Sequence, residues 1–378
     1  MPTLTSLLQL AALAVVAVSL PTDNSTILAS RTETAKRATC TVSSVASAAN
    51  LSGCSAVVIT AFTVPSGQTL TIAAASGATV TMTGDLTFAK TTSAGPLITF
   101  DTKNIVFNGG NHKINGNGAM YWDGQGTNGG VTKPHPFVKY AGLIKFKGFG
   151  TFQSVTVLNS PAHAISVGTS GGSTTIQGIT VDNSAGDSGA LGHNTDGFDI
   201  SASSVTVSKC VVKNQDDCVA INSGSSIAIQ DLTCSGGHGI SIGSIATGKT
   251  VSGVKISRNT ITNSMYGLRI KVNADATNAG VSNIVYEANT ISGIAKYGVL
   301  ISQSYPSDNG TPGTGAPITA PIAFTGGTTN VAVSSSAHTL AIDCGACSGT
   351  WDFSGLHATG GVGHSIVANK AVISGGTY

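Results

Sequence analysis

Between Gly197 and Ile242 the chain reads GFDISASSVTVSKCVVKNQDDCVAINSGSSIAIQDLTCSGGHGISI. A four-residue signature returns in it every 21 residues: a small residue, an apolar one, any residue, then isoleucine, as in Gly197–Ile200, Cys218–Ile221 and Gly239–Ile242. Working outward, related copies ending in Ile or Val stand at Ala164–Val167, Gly267–Ile270 and Gly298–Ile301, so the intervals run 33, 21, 21, 28 and 31 residues. Between the copies lie short runs rich in Val, Ile and Thr, such as SVTVSKC and VKISRNTIT, broken by Gly, Asn and Ser. A unit of roughly 20 to 30 residues with two or three short strands makes one turn of a parallel β-helix, in which each strand pairs with its counterpart one turn on and loops absorb differences in length. A β-sandwich would reverse direction every ~8–12 residues and has no reason to repeat one signature at this longer period. The amphipathic segment from Val42 to Asn50 reads as a short helix that caps the open N-terminal end of the core.

Composition supports an all-β chain. Of 378 residues 48 are glycine and only 10% are charged, and the only glutamates are Glu33 and Glu287, which excludes coiled coils and charged helical bundles. A formal charge of +2 without a basic stripe argues against a nucleic-acid partner. Ser6–Leu20 carries no charge, is shorter than the ~20 residues of a membrane helix and stops at Pro21. It is read as a signal peptide over residues 1–20, followed by a pro-segment over 21–37 that ends at the dibasic Lys36-Arg37. Residues 38–378 are then one secreted β-helix domain with no membrane span. Seven cysteines in an oxidising compartment leave at least one unpaired. Neighbours pair as Cys40 with Cys54, Cys218 with Cys234 and Cys344 with Cys347, and Cys210 is left as a small buried hydrophobe. Sequons at Asn50 and Asn309 are glycan acceptors in such a chain.

If the six copies stack in register, residues at equal offsets form columns whose members lie about 4.8 Å apart. Two positions before the first apolar residue stand His163, Asp196, Asp217, His238, Tyr266 and Tyr297. One position after it stand Ser166, Asp199, Ala220, Ser241, Arg269 and Leu300, and three after it Gly168, Ser201, Asn222, Gly243, Lys271 and Ser302. Period-two alternation aims these columns outward along one face. Asp199 alone reads as a rung of a structural ladder. Stacked Asp196 and Asp217 do not, because ionised carboxylates in contact repel unless a cation, a proton or a shared water lies between them. Carboxylates so grouped suit glycoside hydrolysis, where one protonates the leaving oxygen and another activates water from the opposite side of the sugar. Asp216 leaves the backbone in another direction and is the candidate acid; repulsion from Asp196 and Asp217 is expected to raise its carboxyl and give an acidic optimum. His238 is placed to tune that acid or to hold a sugar hydroxyl. Arg269 and Lys271 are expected as two outward cations suited to a carboxylate-bearing sugar. Tyr297 is placed to pack on a sugar ring, or to sit in the rim of the core.

Asn194-Thr195-Asp196, Gln215-Asp216-Asp217, Gly237-His238-Gly239 and Arg269-Ile270-Lys271, in that order and followed by Tyr297-Gly298, resemble the signature of the polygalacturonases, glycoside hydrolase family 28. The resemblance extends over essentially all of 38–378, including Tyr121-Trp122-Asp123-Gly124 and Lys133-Pro134-His135-Pro136-Phe137, and is nearest to fungal endo-acting members. It implies a right-handed parallel β-helix and inverting hydrolysis of α-1,4 bonds between galacturonates in pectin. Asp216 would be the general acid, Asp196 and Asp217 would hold the attacking water, His238 would assist, and Asn194, Arg269, Lys271 and Tyr297 would bind substrate. Many fungal members carry a further cysteine pair near the C-terminus; here no cysteine follows Cys347.

Three rivals stand beside this reading: a pectate or pectin lyase that places Ca²⁺ among the aspartates, a hydrolase for rhamnogalacturonan or xylogalacturonan, and a non-catalytic solenoid that binds wall polysaccharide. The positions of His238 and Asn194 match the hydrolase, and Arg269 with Lys271 points to uronates. No metal or organic cofactor is implied, and the expected form is a monomer that acts on polygalacturonate.

Overall fold

The computed structural model describes residues 38–93, 95–134, 144–169 and 171–378. The leader, the pro-segment and His135 to Phe137 lie outside the described residues. Within them the chain winds as a right-handed parallel β-helix, three short strands to a turn. Phe198–Ser201, Val205–Ser208 and Val211–Asn214 make one such turn, and each pairs in parallel with its counterpart on the next. Among the described residues the strands form a 23-stranded and an 11-stranded sheet. The larger sheet wraps two of the three faces because Val219–Gln230 runs unbroken round a corner and pairs at each end with a different strand of the preceding turn.

The register is the one the signature demands. Ile165, Phe198, Val219, Ile240, Leu268 and Val299 stand one above another. The column continues forward to Leu340 and His364 and backward to Ile144, Ile98 and Leu70. Signature positions two and four point inward and are fully buried, as Phe198, Ile200, Val219, Ile221, Ile240 and Ile242 show. Each such side chain contributes about 1.5–3 kcal/mol of burial, opposed by the entropy of ordering it. Position one must be small because strands on the other faces crowd it. A Cβ on Gly197 would lie 2.6 Å from the Cys218 carbonyl oxygen and 2.8 Å from Val212.

Corners are closed by side-chain amides. Asn259 accepts from the Leu232 N–H and donates to the Ile229 carbonyl, while Asn289 accepts from the Asn259 N–H and donates to the Ile256 carbonyl. This buried ladder gives partners to backbone groups that the bend takes out of sheet pairing.

The N-terminal cap is smaller than the sequence suggests. Val42 belongs to the strand Thr39–Val42, and only Ala46–Ala48 is helical, as a single 3₁₀ turn. Ser47 Oγ accepts from the Ser43 and Ser44 N–H groups, so serine hydroxyls take the donors that a longer helix would need. Ala48 and Leu51 still cover the end of the core. Disulfides join Cys40 to Cys54, Cys218 to Cys234 and Cys344 to Cys347, and Cys210 is free and buried, as the sequence indicates. At the other end His364–Val367 is exposed along its whole length, and Val362, Val367 and Val372 are 61%, 59% and 62% exposed. No helix among the described residues is long and apolar enough to cross a membrane.

Candidate active site

The polar columns converge on the middle turns. His163, Asp196, Asp217, His238, Tyr266 and Tyr297 stack as expected, because each lies two residues before a paired signature position. The third column does not stay in register. Irregularities after Ile200 and after Ile242 set Ser201 beside Ser223 rather than Asn222 and break the alignment of Gly243 with Lys271.

Asp217 is wholly buried and is the electrostatic centre of the cluster. Arg269 Nη2 reaches its Oδ1 at 2.7 Å, Lys271 Nζ its Oδ2 at 2.6 Å, and Ser241 Oγ donates to Oδ1 at 2.8 Å. Arg269 and Lys271 are therefore not two free outward cations: they are 4% and 7% exposed and turned onto Asp217. Burial works against the charge on both bases, but Asp217, together with Asp216 and a neighbouring tyrosine, holds both above their usual range. These are the cations that let Asp217 stand beside Asp196, resolving the repulsion that the sequence poses.

Asp216 points the other way, toward His238. His238 Nδ1 lies 3.0 Å from its Oδ1, the Asp217 N–H donates to Oδ1 at 2.8 Å, and Asn194 Nδ2 donates to Oδ2 at 3.1 Å. Burial pushes the Asp216 carboxyl up, but the hydrogen bond and charge of His238, with the charge of Lys271 and the Asp217 N–H, together hold it well below the ordinary carboxylate range. The expectation that its neighbours would raise Asp216 is thus reversed, because each of its oxygens meets a donor. Asp196 carries the opposite perturbation. Burial first, then the charges of Asp216, Asp199 and Asp217, push it well above its usual value, and its buried Oδ1 has no hydrogen-bond partner. Asp199 is pushed up to about 6 by burial, against the pull of His163.

The backbone that presents these groups is built for it. Asn214 is 3% exposed and its Nδ2 donates to the carbonyls of Thr195, Asp216 and Asp217, fixing the aspartate turn. Gly237 has φ 61°, and a Cβ there would lie 2.1 Å from the Asp216 carbonyl oxygen. Asn194, in the left-handed region at φ 51°, accepts from the Thr127 N–H and hydroxyl and so ties a loop to the rim of the site. That loop includes the Asp123–Lys133 ion pair at 2.8 Å, which joins two segments quoted above for the resemblance.

An aromatic row leads away from the carboxylates. His238 meets the Tyr266 ring edge-on at 5.6 Å, Tyr266 and Tyr297 are parallel at 6.1 Å, and Tyr297 and His338 stack at 5.4 Å. The Arg269 guanidinium lies 4.1 Å from the centre of the Tyr266 ring. Beside the cluster is a depression of about 550 Å³ lined by Asp187, His193, Gln215, His238 and Met265, among others. Ser241 stands in the sequence only as a column member and Asn214 is not singled out there; their work on Asp217 and its turn becomes visible only in three dimensions. His163 likewise turns out to lie between Asp196 and Asp199.

Two sets, His163 with Asp196 and Asp199, and Asp216 with Asp217 and His238, have donor atoms within 4.8 Å of one another. The second suits a metal poorly, since both Asp217 oxygens already meet cations.

A β-solenoid with opposed, differently perturbed carboxyl groups on its middle turns has the makings of a carbohydrate hydrolase. The family comparison is specific: residues 54–375 match the model of glycosyl hydrolases family 28, and the chain belongs to that family. It is a glycoside hydrolase. An endo-polygalacturonase of Sclerotinia sclerotiorum is 45% identical over 317 residues, 82% of this chain and 80% of that one. A polygalacturonase of Cochliobolus carbonum is 46% identical over 337 residues, 85% and 88% of the two chains. Endopolygalacturonase I from Stereum purpureum, solved in complex with two galacturonates, superposes with a TM-score of 0.87 at 58% identity, covering 90% of this chain and all of that one.

Proposed function

We propose that this glycoside hydrolase is a secreted endopolygalacturonase that cleaves α-1,4 bonds of polygalacturonate with inversion. The observation that carries the reading is the division of labour among the aspartates: Asp216 is joined to His238 at 3.0 Å, whereas Asp196 keeps an unpartnered, buried oxygen. The endopolygalacturonase relatives and the galacturonate complex described above support the substrate class.

In this scheme Asp216 and His238 hold one proton between them. It passes through Asp216 to the glycosidic oxygen as the bond from that oxygen to the anomeric carbon breaks. Water attacks the anomeric carbon from the opposite face, and its proton goes to Asp196. One proton is given and one is taken, and the configuration inverts. Asp196 is the better base because its carboxyl is raised, whereas Asp217 is bound to two cations. Asp217, with both oxygens engaged, holds and orients the water. Arg269 and Lys271 have N–H groups beyond those spent on Asp217, and these bind a uronate carboxylate. Asn194 keeps Asp216 aimed, and Tyr297, whose ring faces are taken by Tyr266 and His338, offers its edge and hydroxyl to a sugar. A Ca²⁺-dependent lyase is disfavoured because Ca²⁺ wants about six to eight oxygens and would sit against Arg269 and Lys271.

The deciding experiment is incubation of the mature protein with polygalacturonate and a chelator at mildly acidic pH, following reducing ends and the ultraviolet absorbance of unsaturated products. Reducing ends without absorbance are expected, and proton NMR of the first products should show the inverted anomer. Asp216→Asn should keep the fold and lose about 10²–10⁴-fold in kcat; near-normal turnover in a folded variant overturns the assignment. Rising absorbance or a Ca²⁺ requirement would mean a lyase. For export, N-terminal sequencing of secreted protein should begin at Ala38, and a start at Pro21 or Arg31 rejects the dibasic cut. Asn50 and Asn309 are both exposed, and endoglycosidase treatment should lower the mass of secreted protein if they carry glycans. Gel filtration should give a monomer.

A further inference from the structure

His163 occupies a place that the scheme above leaves without a role. It stands one turn before Asp196 in the same column, and its ring lies between two carboxylates. Nε2 is 3.5 Å from Asp196 Oδ1 and Nδ1 is 3.5 Å from Asp199 Oδ2. Those two oxygens are buried and have no hydrogen-bond partner. Two unsatisfied carboxylate oxygens flanking one imidazole is a costly arrangement unless the ring supplies a donor to each.

Between two ionised carboxylates a neutral imidazole, with one N–H, serves one and leaves the other facing a lone pair; the doubly protonated ring donates to both. Other charges face this set as well: Asp216, Asp217 and Lys271 act on both aspartates from the turns beyond, and Lys145, in register with Ser166, lies in the Asp199 column on the turn before.

We propose that His163 is a positioning residue for the hydrolysis: as an imidazolium bridging Asp199 and Asp196, it offsets the Asp199 charge and keeps Asp196 an oriented carboxylate able to take the proton of the attacking water. The proposal rests on the reading of Asp196 as the base. It also assigns Asp199 a use beyond a structural ladder: Asp199 anchors the far side of the ring. Burial first, then the charges of Asp216, Asp199 and Asp217, push Asp196 toward its neutral form, which could not act as a base, and His163, in contact with its Oδ1, is placed to oppose this alongside the more distant Lys271.

Three variants test it: His163→Gln, Asp199→Asn and the double variant, each checked by urea unfolding and by kcat and KM on polygalacturonate across pH. His163→Gln should lower kcat by about 10–100-fold with KM within roughly threefold, and move the acidic limb of kcat upward by about one pH unit. Adding Asp199→Asn should restore about fivefold or more of the lost kcat, because the carboxylate that His163 offsets, one of those that destabilise the Asp196 carboxylate, is gone. In unfolding, His163→Gln should cost less in the Asp199→Asn background than alone. If the two substitutions are additive in stability, the bridge is absent and the proposal falls, whatever the activity. If they couple in stability but His163→Gln keeps kcat within twofold, or the double variant is slower than His163→Gln, the ring is merely structural. A wild-type protein that shows the stability coupling but does not hydrolyse polygalacturonate would retain the bridge and refute the functional reading instead.

Discussion

Replacing Lys271 by methionine removes a charge while keeping the length of the side chain, and its effect separates buried from exposed electrostatics within one molecule. Lys271 Nζ lies 2.6 Å from Asp217 Oδ2, and Asp217 has no exposed surface. At an effective dielectric of about 20 and a separation of about 3 Å, the attraction is roughly 5–6 kcal/mol, set against the desolvation of both ions. Removing one partner of a buried pair commonly costs about 3–5 kcal/mol, because the other charge is stranded. Arg269 and Ser241 remain on Oδ1, so the lower end applies, about 3 kcal/mol. Lys147 and Asp101 make a pair of the same 2.6 Å length with side chains 51% and 44% exposed, and Lys147→Met should cost no more than about 1 kcal/mol. Urea unfolding of both variants at one pH measures the contrast. Equal losses for Lys271→Met and Lys147→Met, within about 0.5 kcal/mol, would refute the reasoning and return Lys271 to a purely substrate-facing role.

Other perturbations read other parts of the structure. Asn289 is fully buried and bonded at both ends of its amide, so Asn289→Ala should destabilise by about 2–4 kcal/mol in chemical unfolding, and a loss below 1 would dismiss the ladder as a support. Gly237→Ala places a Cβ against the Asp216 carbonyl at a positive φ; it should lower kcat by about tenfold or more while the far-ultraviolet spectrum persists, and wild-type turnover would show that the turn tolerates displacement. Asp123 is held at about 2, first by the hydrogen bond from Lys133. A depressed carboxyl contributes stability above its unfolded value near 4 and loses it as pH falls through about 2, so Asp123→Asn should remove about 1–2 kcal/mol of acid sensitivity in that window. Parallel stability-pH curves for the two proteins would contradict this.

The sequence displayed the stacking because spacing and identity coincide at Gly197, Cys218 and Gly239: a crowded corner admits only a small residue, and two inward positions require apolar ones. That fixed which residues stand above one another, hence the nearness of Asp196, Asp217 and His238. It could not reveal the irregularities after Ile200 and Ile242, since a single extra residue within a strand leaves no mark in a hydrophobic pattern. Nor could alternation show that an outward side chain is covered. Arg269 and Lys271 lie on the outer face yet are buried, because they fold back over Asp217 beneath neighbouring rings such as Tyr266 and Tyr305. The sign of the Asp216 shift was lost for the same reason. Charges can be counted along a chain, but the donors from His238, Asn194 and the Asp217 N–H depend on where side chains finally point.

The bare final turn at His364–Val367 bears on how the molecule ages. In a solenoid each coil is held by its immediate neighbours, so damage spreads from an end rather than through the whole at once. No disulfide lies beyond Cys347, and several valines there face water. Heating should therefore unravel the chain from its C-terminus, much as a rope frays, and the coils that carry Asp196, Asp216 and His238 would be reached late. Turnover would then outlast the first loss of strand signal, and a short graft that whips the loose end could extend working life without touching the chemistry.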